Sequence, residues 1–178
     1  MKNKTLLIVV FAIVLLAVLT LAAIYSLKKV CDKALDQNAK ASCYRISAKA
    51  TKDLSSCDEI QDLGTRESCY LDVAEAKQDL SICDKIQNPW VKASCYRYVA
   101  IAKKDLSICE AVSNYTIKNE CYSAIAQDKQ DFSICDKVEI QSIKDNCYST
   151  VASAKKDSSI CDKIQDQGIK DSCSASIK

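Results

Sequence analysis

Twelve cysteines carry the strongest chemical signal in this chain of 178 residues: Cys31, Cys43, Cys57, Cys69, Cys83, Cys95, Cys109, Cys121, Cys135, Cys147, Cys161 and Cys173. Their gaps alternate 12, 14, 12, 14 to the end without an exception. A cysteine can bind metal, exchange disulfides, act as a nucleophile or cross-link. Metal clusters and thioredoxin-type exchange use close pairs, and no C-x-x-C occurs here. The chain has no histidine, which removes the commonest general base, every Cys–His dyad and any His metal ligand. An even, regularly spaced set points instead to structural disulfides and to an oxidising compartment.

Other chemistry is equally thin. Asp58, Asp84, Glu110, Asp136 and Asp162 each follow the first cysteine of a pair. A carboxylate repeated in every copy suits a solvated helix face better than one catalytic pair. Gly64 and Gly168 are the two glycines, both in expected turns, and they cannot build a phosphate-cradling loop. The expectation is a protein that is not an enzyme and takes neither cofactor nor metal.

What must position the cysteines is a repeat. A fixed period of 26 residues with two cysteines per copy is the mark of a stacked repeat protein. The copies are residues 27–52, 53–78, 79–104, 105–130, 131–156 and 157–178. In the third copy Asp79 reads as a helix N-cap, its carboxylate able to accept a free N–H of the first turn. Asp53, Asp105, Asp131 and Asp157 hold the same slot, and Ser follows two residues later each time. A short helix A is expected over about Leu80–Gln87, broken by Asn88-Pro89-Trp90. Helix B follows over about Val91–Lys103, with Val91, Cys95, Val99 and Ala102 on one face. The unit is an αα-hairpin.

The hairpin decides the pairing. Cys83 and Cys95 lie equally far from the turn near Pro89, at one height about 9 Å below it. The 14-residue alternative is unequal and would orphan Cys31 and Cys173. The expected bridges are Cys31–Cys43, Cys57–Cys69, Cys83–Cys95, Cys109–Cys121, Cys135–Cys147 and Cys161–Cys173. The fold class is therefore all-α: six stacked αα-hairpins forming a solenoid, each with an internal disulfide. Tyr44, Tyr70, Tyr96, Tyr122 and Tyr148 follow the second cysteine and read as packing between repeats. Ser174 replaces them in the last copy, where no successor covers the surface.

The N-terminus carries a different signal. Residues 1–5 form a short basic segment, and residues 6–25 are apolar and uncharged. Twenty such residues are long enough to cross a bilayer core as a helix, with the repeat domain outside the cytosol. The rival is a signal peptide cleaved after Ala22, which would release the domain. Leu27 stands where later copies have the capping Asp. Either the membrane helix runs on into the first repeat, or Ser26 caps a fresh one. Of the 25 basic residues, Lys2 and Lys4 alone precede residues 27–178, which therefore carry 23 basic against 23 acidic residues. That balance speaks against nucleic acid as a partner.

Comparing copies separates scaffold from variable surface. The A–B turn varies most, and stacking would set these turns along one edge. Trp90 is the single tryptophan, Tyr115 occupies the adjacent turn, and Arg97 and Tyr98 are peculiar to the third copy. Trp, Tyr and Arg dominate interface hot spots. The competing reading has Trp90 packed locally as a hydrophobic staple. Asn114-Tyr115-Thr116 is a glycosylation sequon in an expected exposed turn.

The stack of short αα-hairpins resembles tetratricopeptide and Sel1-like solenoids. Its stapling is similar in principle to the secreted, cysteine-rich Sel1-like proteins. The resemblance spans residues 27–178 as architecture; the tetratricopeptide unit is longer, about 34 residues, and its Trp-Leu-Gly-Tyr pattern is absent. What the resemblance implies is a protein-binding scaffold, and it carries over no functional residue. The expected role is a single-pass, membrane-anchored extracytoplasmic scaffold that binds a protein or glycan at the cell surface, or a rigid stalk. The alternatives are a secreted binding factor and a structural subunit of a surface layer or filament.

Overall fold

In a computed structural model, the described residues are Val14, Leu15, Val18, Ala22, Tyr25, Ser26, residues 28–34 and residues 36–177. They are helical or connecting, with no strand among them. Six disulfides recur along them, Cys31–Cys43, Cys57–Cys69, Cys83–Cys95, Cys109–Cys121, Cys135–Cys147 and Cys161–Cys173, each closing 12 residues. Their Cα atoms lie from 5.4 Å to 5.9 Å apart, an ordinary disulfide span. Six disulfides fit an oxidising, extracytoplasmic environment.

Six long helices carry the second cysteines: α1 (Gln37–Thr51), α2 (Leu63–Lys77), α3 (Pro89–Lys103), α4 (Tyr115–Lys129), α5 (Gln141–Lys155) and α6 (Gln167–Ser176). From the second copy on, the first cysteines sit on much shorter elements. These are the α-turns Ser55–Asp58 and Leu106–Glu110 and the 3-10 helices Leu80–Lys85, Phe132–Lys137 and Ser158–Lys163. This corrects the expected eight-residue helix A. Asp79 accepts the N–H of Ser81, two residues on, and its side chain also takes the Ser81 hydroxyl. Asp105, Asp131 and Asp157 do the same. The same Asp–Ser cap opens both the α-turns and the 3-10 helices, so it sets where the short element begins and not its hydrogen-bond pattern.

A second correction concerns proline. Pro89 does not end a helix but begins α3, with Asn88 as its N-cap accepting from Trp90 and Val91. Proline's missing N–H costs nothing in the first turn. Gly64 and Gly168 are likewise not turn residues; each is the second residue of a long helix, α2 or α6, with no positive φ.

Between copies the chain reverses at a non-glycine residue. Lys52, Gln78, Lys104, Gln130 and Lys156, the last residue of each of the first five expected copies, all have φ between 52° and 58°. The next residue is the capping Asp. Its N–H bonds back to an alanine carbonyl, as Asp105 does to Ala100 and Asp131 to Ala126. That is the Schellman closure, and it satisfies a carbonyl the helix end would leave free.

Two compact units make up the chain, Met1–Val73 and Ala74–Lys178. In the first, α1 packs on Ser55–Asp58, and Tyr44, Ala48, Cys57, Ile60, Cys69 and Val73 are buried. Arg45 binds Asp72 at 2.5 Å and ties α1 to α2. In the second, α3 packs on α4, α4 on α5, and α5 on α6, while α4 and α5 also meet the 3-10 helices of the copies that follow them. The core runs through columns in the repeat: the isoleucines Ile108, Ile134 and Ile160 before the first cysteine, the β-branched Ile125 and Val151, and the alanines Ala100, Ala126 and Ala152. Alanine there lets backbones approach closely.

The expected membrane segment lies mostly outside the described residues, as do residues 1–5 and Leu27. Among the described residues no helix is long and apolar enough to cross a membrane. Ser26 is helical, and its hydroxyl donates to the Ala22 carbonyl at 2.9 Å, one turn back. It is therefore not opening a helix. Residues 28–32 are helical as well.

Candidate functional site

In the first five copies the residues after the two cysteines form a second link beside the disulfide; in the sixth, Ser174 takes the tyrosine's place and donates to the Lys170 carbonyl instead. Tyr70 donates its hydroxyl to Asp58 at 2.6 Å, and Tyr96 to Asp84 at 3.1 Å. Tyr44 binds Asp32 and Tyr148 binds Asp136 in the same way. These partners are 12 residues apart, as the cysteines are. A basic residue three positions before the second cysteine completes the group in most copies. Lys40 pairs with Asp32 at 3.3 Å, Lys92 with Asp84 at 3.0 Å, Lys118 with Glu110 at 3.0 Å and Lys170 with Asp162 at 3.3 Å. The carboxylates expected to form a bare solvated face are thus acceptors within their own repeat.

The electrostatics follow. Burial, then the carboxylate partner, pushes the Tyr44 and Tyr70 phenols up to about 12, and raises Tyr96, Tyr122 and Tyr148 for the same reasons. The Tyr44 hydroxyl and then Lys40 hold Asp32 below the usual carboxylate range. Lys92 and then Tyr96 do so for Asp84, and Tyr122 and then Lys118 for Glu110. Tyr96 and Tyr148 also touch the next copy: Tyr96 packs against the cluster of Ala93, Val112 and Ile117, and the Lys163 ammonium lies over both the Tyr148 and Phe132 rings, 5.9 Å and 5.4 Å from their centres. So they serve the repeat internally as well as the packing between repeats.

The expected binding edge divides in two. Trp90, second residue of α3, is 63% exposed, and Tyr115, first residue of α4, is 54% exposed. The Tyr115 hydroxyl reaches Glu139 at 3.1 Å while its ring stays open to solvent. Such exposure does not fit a hydrophobic staple at Trp90. Arg97 and Tyr98 are not in the turn. They lie about 12 Å further along α3. There the Arg97 guanidinium stacks 4.6 Å from the Tyr98 ring centre and pairs with Glu120 at 3.5 Å. Asn114 is half-buried and works as the N-cap of α4, accepting the Ile117 N–H at 3.0 Å.

One column escaped the sequence reading. Two residues before the second cysteine stand Ala41, Glu67, Ala93, Asn119, Asp145 and Asp171. Asn119 and Asp145 are buried, and each accepts two backbone N–H groups from the A–B turn of the following copy. Asn119 takes those of Glu139 and Ile140; Asp145 takes those of Gln165 and Asp166. The signal was available as a polar residue on a helix face otherwise given to Cys and Ala. Its target, a turn 20 residues away, was not.

Among the described residues no group of three or more His, Cys, Asp or Glu could hold a metal ion. Comparison with family models, with curated proteins and with solved structures finds no match for the chain. The expected likeness to Sel1-like and tetratricopeptide repeats finds no support there, and the short first element separates this unit from a hairpin of two full helices.

Proposed function

We propose that the chain is a membrane-anchored, extracytoplasmic repeat scaffold that binds a protein partner through its variable turns. The observation that carries this reading is the exposure of Trp90 and Tyr115 at the N-termini of neighbouring helices. An indole left in water forgoes burial worth roughly 1.5–3 kcal/mol for a large apolar side chain, so a second surface has that much to gain. The anchor rests on the apolar sequence of residues 6–25. It is supported by Val14, Leu15, Val18 and Tyr25, which are helical and exposed. The closed Tyr–carboxylate–Lys groups and the fully bridged cysteines favour scaffold over catalyst.

The test is a double variant, Trp90→Ala with Tyr115→Ala, in the full-length chain. Binding to the cell surface of the source organism should weaken by ~2 kcal/mol or more, with an unchanged melting curve. Unchanged binding with a lower melting temperature retires the hot-spot reading. Intact mass of the exported protein decides between a retained anchor and cleavage after Ala22.

A further inference from the structure

We propose that the cavity beside Ala41 is a binding site for a carboxylate carried on a partner's peptide chain, as an aspartyl side chain would present it. It is distinct from the Trp90–Tyr115 edge and does not depend on it.

The protein supplies the template itself. In the fifth copy the Asp145 side chain accepts three hydrogen bonds: from the Gln165 N–H at 3.0 Å, from the Asp166 N–H at 3.1 Å and from the Gln141 side-chain amide at 2.9 Å. Its two oxygens divide the two N–H groups between them. Gln167 and Asp171 repeat the Gln–Asp pair at 2.8 Å. Four repeats earlier the corresponding residues are Gln61, Asp62, Gln37 and Ala41. All three donors are kept and the acceptor is gone. Gln37, Ala41, Gln61 and Asp62 line a cavity of about 220 Å³ in its place.

The acids nearby are already engaged. Glu59 pairs with Lys28 at 3.4 Å, and Asp62 accepts both the N–H and the hydroxyl of Thr65, at 2.8 Å and 2.7 Å. Lys40, also on the wall, pairs with Asp32 at 3.3 Å. Recognition thus rests on the donors that correspond to those serving Asp145, whose two backbone members lie at the start of α2, where anions are favoured. The volume leaves room for the methylene and backbone that bring the carboxylate in. The corresponding cavity at Ala93, about 350 Å³, is a less complete copy. Pro89 replaces the glutamine, and Ala93 packs with Val112 and Ile117.

The experiment uses the ¹⁵N-labelled full-length chain, titrated with N-acetyl-aspartate amide and, in parallel, with N-acetyl-alanine amide. The aspartate probe should give saturable shifts at the Gln61 and Asp62 backbone amides and the Gln37 side-chain amide, and none at Gln165 or Asp166. The alanine probe should leave all of them in place. Ala41→Asp should fill the site from within: higher melting temperature, Gln61 and Asp62 amides shifted before any probe is added, and loss of the response. If that variant folds poorly, Ala41→Asn replaces it, since Asn119 makes the same two backbone contacts. Absence of saturable shifts at Gln61 and Asp62, equal shifts from both probes, or an undiminished response in the filled variant overturns the proposal.

Discussion

The Asp145 carboxylate accepts the backbone N–H of Asp166 at 3.1 Å, across the join between two successive repeats. Asp145 is 1% exposed and lies on α5, while Asp166 caps α6 by accepting the Ile169 N–H. One buried carboxylate therefore fixes where the next long helix begins. The disulfides hold each copy together, and this contact sets how one copy meets the next.

Asp145→Ala should destabilise the protein by about 2 kcal/mol, the cost of losing the charge-assisted hydrogen bonds that a buried carboxylate accepts. It should not unfold it, because the third copy already carries Ala93 at this position. Asp171→Ala, in the last copy and exposed, should cost far less. Denaturant melts of the two variants side by side check this; equal losses would remove the special role of the inter-repeat contact.

Stability should be flat across neutral pH, since no histidine is present. Asp32, Asp84, Glu110 and the capping Asp79, Asp105, Asp131 and Asp157 have folded pKa values below their ordinary ones. Their contribution is present above the unfolded value, near pH 4, and is lost as pH falls through the depressed folded values. The buried tyrosines have raised pKa values, so their contribution is full below about pH 10 and is lost as pH rises towards about 12 for Tyr44 and Tyr70. Melting temperature against pH should show this plateau with two falling flanks. Phenolate absorbance should report Tyr44 and Tyr70 ionising well above free tyrosine.

Gln130→Gly should stabilise the fold by about 1 kcal/mol. Gln130 has φ 52° at the end of α4, where a side chain crowds the backbone and glycine does not. The exposed Gln130 has no ion pair to lose, unlike Lys104, which binds Asp128 at 2.8 Å. A lower melting temperature in the glycine variant would mean that unfolded-state entropy outweighs the relief.

Replacing Cys83 and Cys95 together by Ala should cost about 3 kcal/mol on the loop-closure estimate. Tyr96 and Asp84, their neighbours, remain linked at 3.1 Å, so the third copy should keep its hairpin path at low temperature. Adding Tyr96→Phe should then cost more in the double-cysteine background than in the parent. Strict additivity would show that the two links do not cooperate.

What the sequence determined by itself was what is local and periodic. The 12–14 cysteine ruler set the repeat and the bridge partners, because only residues level across one turn can reach each other. The Asp-x-Ser pattern located the N-caps, because capping spans two or three residues. Local patterns misled where two conformations share one signal. Asn88-Pro89 can close one helix or open the next, and only the Asn88 side chain accepting the Trp90 and Val91 N–H groups shows that it opens α3. The length of the first element was hidden for the same reason, since a 3-10 turn and a short helix carry the same apolar spacing. Tertiary structure alone decided the contacts between copies. Nothing within a repeat says that Asp145 serves residues 20 and 21 positions later, or that Tyr70 and Asp58 form a link parallel to the Cys57–Cys69 bridge. These depend on how rigid elements meet in space. So does the gap at Ala41, which in the sequence is only an alanine among alanines and in the fold is a missing acceptor beside all three donors of the Asp145 arrangement.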